Sequence, residues 1–209
     1  MRGRARLCVG RKWKGFVESD EIYGKIPRFP LYFCAILLYN EAVFYDRGGV
    51  CMGEVVAVVS GKGGTGKTSV CAGLATALAE FGESVLCIDC DIGLRNLDIS
   101  LGISQMDALS FLDVCRGGYT LEQITVHPEY PKLRFLTAPM NCQPESIDHS
   151  AFSELLRQAR KTFSYIFLDA PAGIDAGFQL AARHADRILV VCGADPASVR
   201  DAARAADLL

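Results

Sequence analysis

The residues best suited to chemistry form a glycine-rich run that follows an apolar segment. Gly61 to Thr68 read Gly-Lys-Gly-Gly-Thr-Gly-Lys-Thr and fit the pattern G-x-x-x-x-G-K-[ST]. Glycines let successive backbone N–H groups curl around phosphate oxygens, and an adjoining helix N-terminus adds partial positive charge. A lysine such as Lys67 can reach the outer phosphates, and the Thr68 hydroxyl can ligate Mg²⁺. The run therefore predicts a binding site for a nucleotide and magnesium.

Three aspartates at the ends of apolar runs could complete such a site. Asp89 and Asp91 close the run that begins at Ser84, and Asp169 ends the run that begins at Tyr165. In a doubly wound sheet the carboxyl ends of parallel strands form the ligand crevice, so these carboxylates should meet the glycine-rich loop. Asp169 is placed like the acid of a Walker B strand and is expected to support the Mg²⁺ shell.

The elements that must position these residues alternate along the chain. Apolar, β-branched runs predict strands at residues 54–60, 84–90, 132–138, 165–170 and 187–193. Helical patterns fall between them, at residues 67–81, around 108–115, at 149–162, between the last two strands and from 196 onward. This alternation predicts an α/β fold, a doubly wound, mainly parallel sheet with helices on both faces.

The chain divides into two unlike parts at Met52. Residues 1–51 carry 9 basic and 5 acidic side chains and show no sustained period, whereas residues 52–209 carry 13 basic and 19 acidic ones. We expect residues 1–51 to be an irregular extension that is not native, with the natural start at Met52. Because a parallel sheet usually continues beyond a helix such as 201–209, we expect residues 52–209 to be a nucleotide-binding domain truncated at the C-terminus.

Composition narrows the function classes. The 209 residues are 50% hydrophobic with a formal net charge of -2, which excludes a disordered chain and argues against a generally basic nucleic-acid binder. The longest apolar run, residues 31–39, falls short of the roughly 20 residues of a membrane-spanning helix. Nine cysteines, an odd number often placed in apolar runs, favour buried reduced thiols and a cytoplasmic protein.

Four segments carry a resemblance to a known family. Lys62-Gly63-Gly64-x-Gly66-Lys67-Thr68 is similar to the deviant Walker A loop of the MinD/ParA ATPases, in which the early lysine is the distinguishing residue. The segment Asp89-Cys90-Asp91-Ile92-Gly93-Leu94-Arg95-Asn96-Leu97-Asp98 resembles the MinD branch of that family. Asp169 to Ile174 resembles its Walker B and switch II, and Pro196 to Ala202 resembles a further stretch. The likeness covers residues 53–209, the front part of a typical MinD.

The resemblance implies roles for single residues. Lys62 would reach across a nucleotide-sandwich dimer to the partner's phosphates, and Asp91 would orient the attacking water. Asn96, beside Arg95, would lie in switch I. The implied catalytic set is Lys62, Lys67, Asp91 and Asn96, and the implied metal set is Thr68, Asp89 and Asp169. The implied ATP-binding set is Gly61, Lys62, Gly63, Gly64, Thr65, Gly66, Lys67, Thr68, Ser69 and Gly173, whose N–H would face the γ-phosphate.

The resemblance also implies a biological cycle. ATP and Mg²⁺ would drive homodimerisation, and slow hydrolysis would reverse it, so as to place the bacterial division septum. Implied partners are a MinC-like division inhibitor and a MinE-like ATPase-stimulating protein or polar landmark, with no specific nucleic acid. The protein would be cytoplasmic and peripheral on the inner membrane through a C-terminal amphipathic helix. Because that helix is not in this sequence, we expect this form to bind nucleotide but not membrane.

Alternatives remain open at this stage. A ParA-like partition ATPase would share the loop but act on DNA. A metal-cluster carrier or scaffold could use the pair Cys87 and Cys90, although packing thiols are the better interpretation. An inert fragment that folds poorly is a third possibility. The remaining polar clusters are expected to be surface features without ligand-like spacing, namely His127, His149 and His184, and the basic face of Arg157, Arg160 and Lys161.

Overall fold

A twisted sheet supplies the framework on which the glycine-rich loop is mounted. The computed structural model describes residues 34–39, 52–103 and 107–209. The strands of these residues are β1 (Cys34–Tyr39), β2 (Glu54–Val59), β3 (Val85–Asp89), β4 (Thr125–Val126), β5 (Leu133–Leu136), β6 (Tyr165–Asp169) and β7 (Arg187–Gly193). The apolar runs form strands because β-branched residues fit a surface that is buried on both faces.

The strand order is β1-β7-β2-β6-β3-β5-β4. The five inner strands, from β7 to β5, pair in parallel. The two outer pairings are antiparallel, β1 with β7 and β4 with β5. The loops that follow β2, β3 and β6 therefore open on one edge of the sheet, as a doubly wound fold requires.

Helices cover both faces of this sheet. Their bounds are α1 (Lys67–Glu80), α2 (Leu97–Ser100), α3 (Phe111–Cys115), α4 (His149–Thr162), α5 (Ala176–His184) and α6 (Pro196–Ala206). Successive strand residues point to opposite faces, so β2 gives Val55, Ala57 and Val59 to one apolar cluster and Val58 to the other. The first cluster packs under α4, α5 and α6, and the second packs under α1. The predicted doubly wound, mainly parallel architecture is confirmed.

Local sequence signals set the helix ends. Gly82, in the left-handed region at φ +92°, follows α1 and ends it as predicted. The carboxyl of Asp148 accepts hydrogen bonds from the backbone N–H groups of Ser150 and Ala151 and so caps α4. Asp195 caps α6 in the same way by accepting from the N–H of Ser198.

One strand among the described residues that precede Met52 was not indicated by the sequence. Cys34–Tyr39 form a strand that pairs antiparallel with Arg187–Gly193 at the sheet edge. The interpretation of residues 1–51 as irregular is wrong for this segment, because an edge strand pairs through its backbone and needs no side-chain period. The start at Met52 remains a prediction, and the basic residues Arg2 to Lys14 lie outside the described residues.

None of the helices in the described part of the chain combines the length and apolarity that a bilayer crossing requires.

Candidate functional site

The glycine-rich loop joins β2 to α1 at the carboxyl edge of the sheet. Gly64 and Gly66 have φ of +75° and +87°, a region that side chains disfavour, and Gly66 is the last residue before α1 begins. The Ser60 hydroxyl donates a 2.6 Å hydrogen bond to the carbonyl of Lys62 and fixes the start of the loop. The loop thus adopts the strand–turn–helix context that its motif requires, with the helix N-terminus at the open edge.

A second contact fixes the loop against α6. A Cβ atom built on Gly61 would lie 2.1 Å from the carbonyl oxygen of Asp201, so only glycine fits there. A Cβ on Gly63 would meet only the side chain of Ala172, at 3.7 Å, which is an ordinary contact distance. Packing against α6 therefore requires glycine at position 61. At position 63 packing does not require it, and the glycine leaves the loop backbone uncovered by a side chain.

Lys67 is held at the base of the loop among carboxylates. Its side chain is buried, with 8% of its surface exposed. Burial lowers the pKa of Lys67, and the negative charges of Asp169 and Asp91 act in the opposite direction. The Lys67 ammonium therefore lies in a partly desolvated position within the electrostatic influence of two carboxylates.

Asp89 and Asp169 lie side by side at the ends of β3 and β6, where they are paired in register. Both are almost fully buried. Burial raises the pKa of Asp169 to about 7, and the charge of Asp89 contributes in the same direction. Burial also raises the pKa of Asp89 to about 6. A cation bound beside these two buried carboxyls would stabilise their ionised forms.

The side chains present fit a hydrated Mg²⁺ ion bound with a nucleotide. The Thr68 hydroxyl hydrogen-bonds to the Asp169 carboxyl, and the buried Oδ1 of Asp169 has no hydrogen-bond partner among the described residues. Within the same residues, no three His, Cys, Asp or Glu side chains converge as cation ligands. A magnesium ion would therefore take Thr68 and Asp169, directly or through water, together with phosphate oxygens.

Asp89 does a different structural task from Asp169. One of its carboxylate oxygens accepts from the backbone N–H of Asp91 at 2.8 Å, and the other accepts from that of Leu97 at 3.3 Å. These bonds shape the turn that carries Asp91 past the end of β3. Asp91 is half-buried, and burial raises its pKa while the Lys67 charge lowers it. The predicted role of Asp89 near the metal remains a prediction.

The turn that follows Asp91 is held in an uncommon conformation. Arg95 has φ of +46°, and its Nε donates a 2.7 Å hydrogen bond to the Thr137 hydroxyl at the end of β5. Asn96 precedes α2 with its side chain exposed. Leu94 is 70% exposed and Ile99 is 69% exposed on this turn and helix. The segment presents apolar side chains to solvent from a fixed backbone.

The structure brings most of the predicted residues to one edge. Lys67, Thr68, Asp89, Asp91 and Asp169 are linked there by hydrogen bonds and charge interactions. Of the other predicted residues, Ser69 is exposed in the first turn of α1 and Asn96 directly precedes α2. The rest lie on the bordering loops, namely Gly61, the exposed Lys62, Gly63, Gly64, the partly buried Thr65, Gly66, and Gly173 with φ of +92° after β6.

Two residues of this region were missed by the sequence interpretation as site residues. Thr137, which anchors Arg95, carries no signal in the sequence because the contact spans 42 positions. Asp195 precedes a proline at a helix start, a pattern that could have indicated it. The hydrogen bonds from Ser198 lower the pKa of Asp195, and the charge of Lys62 acts in the same direction.

The cysteine pair does not form a metal or redox centre. Cys87 belongs to the apolar cluster under α1 and Cys90 to the cluster on the other face, because residues three apart on an extended chain point in opposite directions. Both are fully buried, and Cys87 instead contacts the thiol of Cys71 on α1. The alternative of a cluster carrier that uses Cys87 and Cys90 is therefore wrong.

The basic face of α4 and the three histidines, which were expected to be surface features, differ in part from that expectation. The basic face of α4 is neutralised, since Arg157 pairs with Glu154 and Arg160 with Asp186. A cavity of about 530 Å³ lies between residues 114–122 and α4 and includes no residue of the glycine-rich loop. The three histidines were expected to be surface or cap residues. This is wrong for His127, which is buried, whereas His149 is exposed and lies against His184.

Comparison with known proteins agrees with this geometry. The family profile described as the CobQ/CobB/MinD/ParA nucleotide binding domain matches residues 56–195. The septum site-determining protein MinD of Synechocystis sp. is 39% identical over 159 residues, which are 76% of this chain and 60% of that protein. The chain thus spans about 60% of the length of this curated relative.

Solved structures of the same family superpose on the chain. The MinC:MinD cell division protein complex of Aquifex aeolicus gives a TM-score of 0.67 at 38% identity, covering 75% of this chain and 63% of that one. The septum site-determining protein MinD of Pyrococcus horikoshii, solved with Mg-ADP, gives 0.65 at 27% identity, covering 75% and 65%.

Proposed function

Because the chain belongs to the CobQ/CobB/MinD/ParA nucleotide-binding family, we propose that it is a MinD-like ATPase. In this proposal it binds ATP with Mg²⁺, dimerises and positions the bacterial division septum, and hydrolysis resets the cycle. The observation that carries the proposal is the buried Asp169 oxygen without a partner, set beside Thr68 and Lys67 at the end of a phosphate-binding loop. Identities of 38–39% to MinD proteins favour this function over that of a partition ATPase acting on DNA.

The chemistry assigned to this site is positioning and charge neutralisation. Phosphoryl transfer to water needs no covalent nucleophile, so the enzyme must fix the phosphates, neutralise their charge and orient one water molecule. Mg²⁺, when bound, neutralises the β- and γ-phosphate oxygens. Lys67 adds a buried positive charge, and Asp91, on the turn that Asp89 shapes, is placed to orient the water.

Dimerisation is assigned to residues on the exposed side of the loop. Lys62 is exposed, whereas Lys67, five residues further along the motif, is buried. Leu94 and Ile99 expose apolar surface on the neighbouring segment. We assign Lys62 to the phosphates of a second copy of this chain, and the exposed apolar side chains to the dimer interface.

The proposed partners follow from the relatives. A MinC-like division inhibitor is supported by the similarity to a MinC:MinD complex. A MinE-like stimulator or polar landmark, a cytoplasmic location and attachment to the inner membrane in the full-length protein are parts of the same proposal.

Three variants test the assignment. Lys67→Ala should weaken ATP binding at least a hundredfold, a loss of about 2.7 kcal/mol, because the loop loses its buried charge. Lys62→Ala should bind ATP as the wild type does but stay monomeric in light scattering. Asp91→Ala should dimerise with ATP and release phosphate at a background rate. Lys161→Ala, an exposed lysine on α4, is the matched control. Unchanged ATP affinity in Lys67→Ala would contradict the proposal.

A further inference from the structure

Two histidines far apart in sequence meet at the ends of adjacent helices. His149 is the first residue of α4 and His184 is the last residue of α5. The Nδ1 atom of His149 and the Nε2 atom of His184 are 3.2 Å apart. The ring centroids are 5.5 Å apart with an angle of 26° between the planes. Neither residue belongs to the nucleotide site.

The distance between the two nitrogens is close to that between two nitrogen ligands of one transition-metal ion. Imidazole nitrogens bind Zn²⁺ at about 2.0–2.1 Å, so two of them on one tetrahedral ion lie roughly 3.3 Å apart. At the right angle of an octahedral ion the same bond length gives roughly 2.9 Å. The observed 3.2 Å lies between these values. Small rotations of the rings would direct both lone pairs to one point.

The surroundings hold one ring and leave the other accessible. The ring of His184 packs edge-on against Phe152 at a centroid distance of 5.4 Å, and Phe152 is fully buried. His149 is exposed, so an ion can approach from solvent. This is the arrangement of one pre-oriented ligand and one that can adjust.

The charges next to the pair are mixed. Asp148, beside His149, is ionised because hydrogen bonds from Ser150 lower its pKa, and its negative charge favours a cation nearby. Arg183, beside His184, opposes a cation. Burial lowers the pKa of His184, and the charges of His149 and Arg183 add to this effect. These effects favour the neutral ring of His184, which is the form that binds a metal ion.

We propose that His149 and His184 form a binding site for a divalent transition-metal ion such as Zn²⁺, with water in the remaining positions. Bound metal joins the N-terminus of α4 to the C-terminus of α5. Two protein ligands make the site reversible and of modest affinity. The three histidines of the chain make it measurable one residue at a time.

The test is a zinc titration followed by NMR of histidine-labelled protein in a non-chelating reductant. The ring signals of His149 and His184 should shift together and saturate at a common zinc concentration. His127 is the internal control, because both of its ring nitrogens are engaged in hydrogen bonds within the protein. Zinc bound by cysteine thiols would leave the ring signals of His149 and His184 in place, and that result would overturn the proposal.

Single variants complete the test. His149→Ala and His184→Ala should each raise the zinc concentration for half-saturation of the remaining ring at least tenfold. Arg183→Gln keeps both ligands and should bind zinc at least as tightly as the wild type. If either histidine alone responded to zinc with the wild-type half-saturation, the pair would be a simple hydrogen bond and the proposal would be wrong. The titration needs no nucleotide, so its outcome is independent of the ATPase proposal.

Discussion

Asp89 and Asp169 occupy directly paired positions on neighbouring parallel strands, and both side chains are almost fully buried. Burial raises the pKa of both carboxyls, and the charge of Asp89 further raises that of Asp169. The protein thus keeps an acidic pair that is costly to ionise and that a bound cation would stabilise.

The first prediction concerns how stability changes with pH when metal and nucleotide are removed with EDTA. The folded-state pKa of Asp169, about 7, is above the ordinary value of 3.8 that an aspartate has in the unfolded chain. Between these values the folded protein holds a proton that the unfolded chain has released, so stability falls as pH rises. The loss from pH 4 to pH 8 is expected to be on the order of 2–4 kcal/mol, measured by urea unfolding.

The variant Asp169→Asn isolates this effect. It should reduce the dependence of unfolding free energy on pH to the smaller part that Asp89 contributes, and it should make the nucleotide-free protein more stable than the wild type at pH 8. Its binding of Mg-ATP should be lost. Asp207→Asn, at an exposed position beyond α6, is the control and should retain the wild-type slope. If Asp169→Asn kept the wild-type dependence of unfolding free energy on pH, the carboxyl of Asp169 would not be the source of that dependence, and the prediction would be wrong.

The second prediction separates two glycines of the loop. Gly61→Ala should lower the free energy of unfolding by about 1–3 kcal/mol, because the new Cβ would overlap the backbone carbonyl of Asp201. Gly63→Ala should change it by less than about 0.5 kcal/mol, because its nearest contact is 3.7 Å away. Urea unfolding of both variants makes the measurement. Equal losses in the two variants would contradict the packing of the loop on α6.

The elements that could be predicted from sequence are those with a local signature. The strand Arg187–Gly193 and the helix His149–Thr162 were predicted with the bounds observed, because a β-branched run and an amphipathic period are written in consecutive residues. The glycine-rich loop was equally clear, since its spacing fixes both the turn and the helix start. These features are local, and so they are visible in the sequence.

The features that could not be predicted depend on contacts between distant positions. The meeting of His149 and His184 follows from the packing of α4 beside α5, which no spacing in the sequence records. The separation of Cys87 from Cys90 could have been deduced from strand alternation, yet the contact of Cys87 with Cys71 could not. The strand at Cys34–Tyr39 pairs antiparallel with Arg187–Gly193, and backbone pairing of this kind requires no periodic pattern in the sequence.

The third prediction concerns His127, which joins the segment after α2 to the turn before β5. Its Nε2 lies 2.8 Å from the carbonyl oxygen of Leu101, and its Nδ1 accepts from the backbone N–H groups of Glu129 and Tyr130. His127→Ala should lower the free energy of unfolding by about 3 kcal/mol, because it leaves buried polar groups without partners.

Hydrogen exchange locates the effect of this change. The amides of residues 97–103 should exchange faster in His127→Ala than in the wild type, because the carbonyl of Leu101 loses its hydrogen-bond partner. The exchange of the β6 amides should change only by the amount that the loss of global stability predicts. A uniform increase across the whole chain, without excess at 97–103, would assign His127 a general packing role instead.

The last prediction concerns Thr137, the residue that anchors the turn carrying Asp91 and Asn96. Thr137→Val keeps the shape of this buried side chain but removes the oxygen that accepts from Arg95 Nε. A hydrogen bond from a charged donor contributes about 1.5 kcal/mol, so the ATP hydrolysis rate should fall roughly tenfold if the bond holds the turn in its productive position. ATP affinity should stay within about twofold, because Thr137 is not part of the phosphate loop. Thr125→Val on β4 is the matched control and should hydrolyse ATP at the wild-type rate. A fall in affinity with unchanged hydrolysis in Thr137→Val would place the anchor in substrate binding rather than in positioning Asp91.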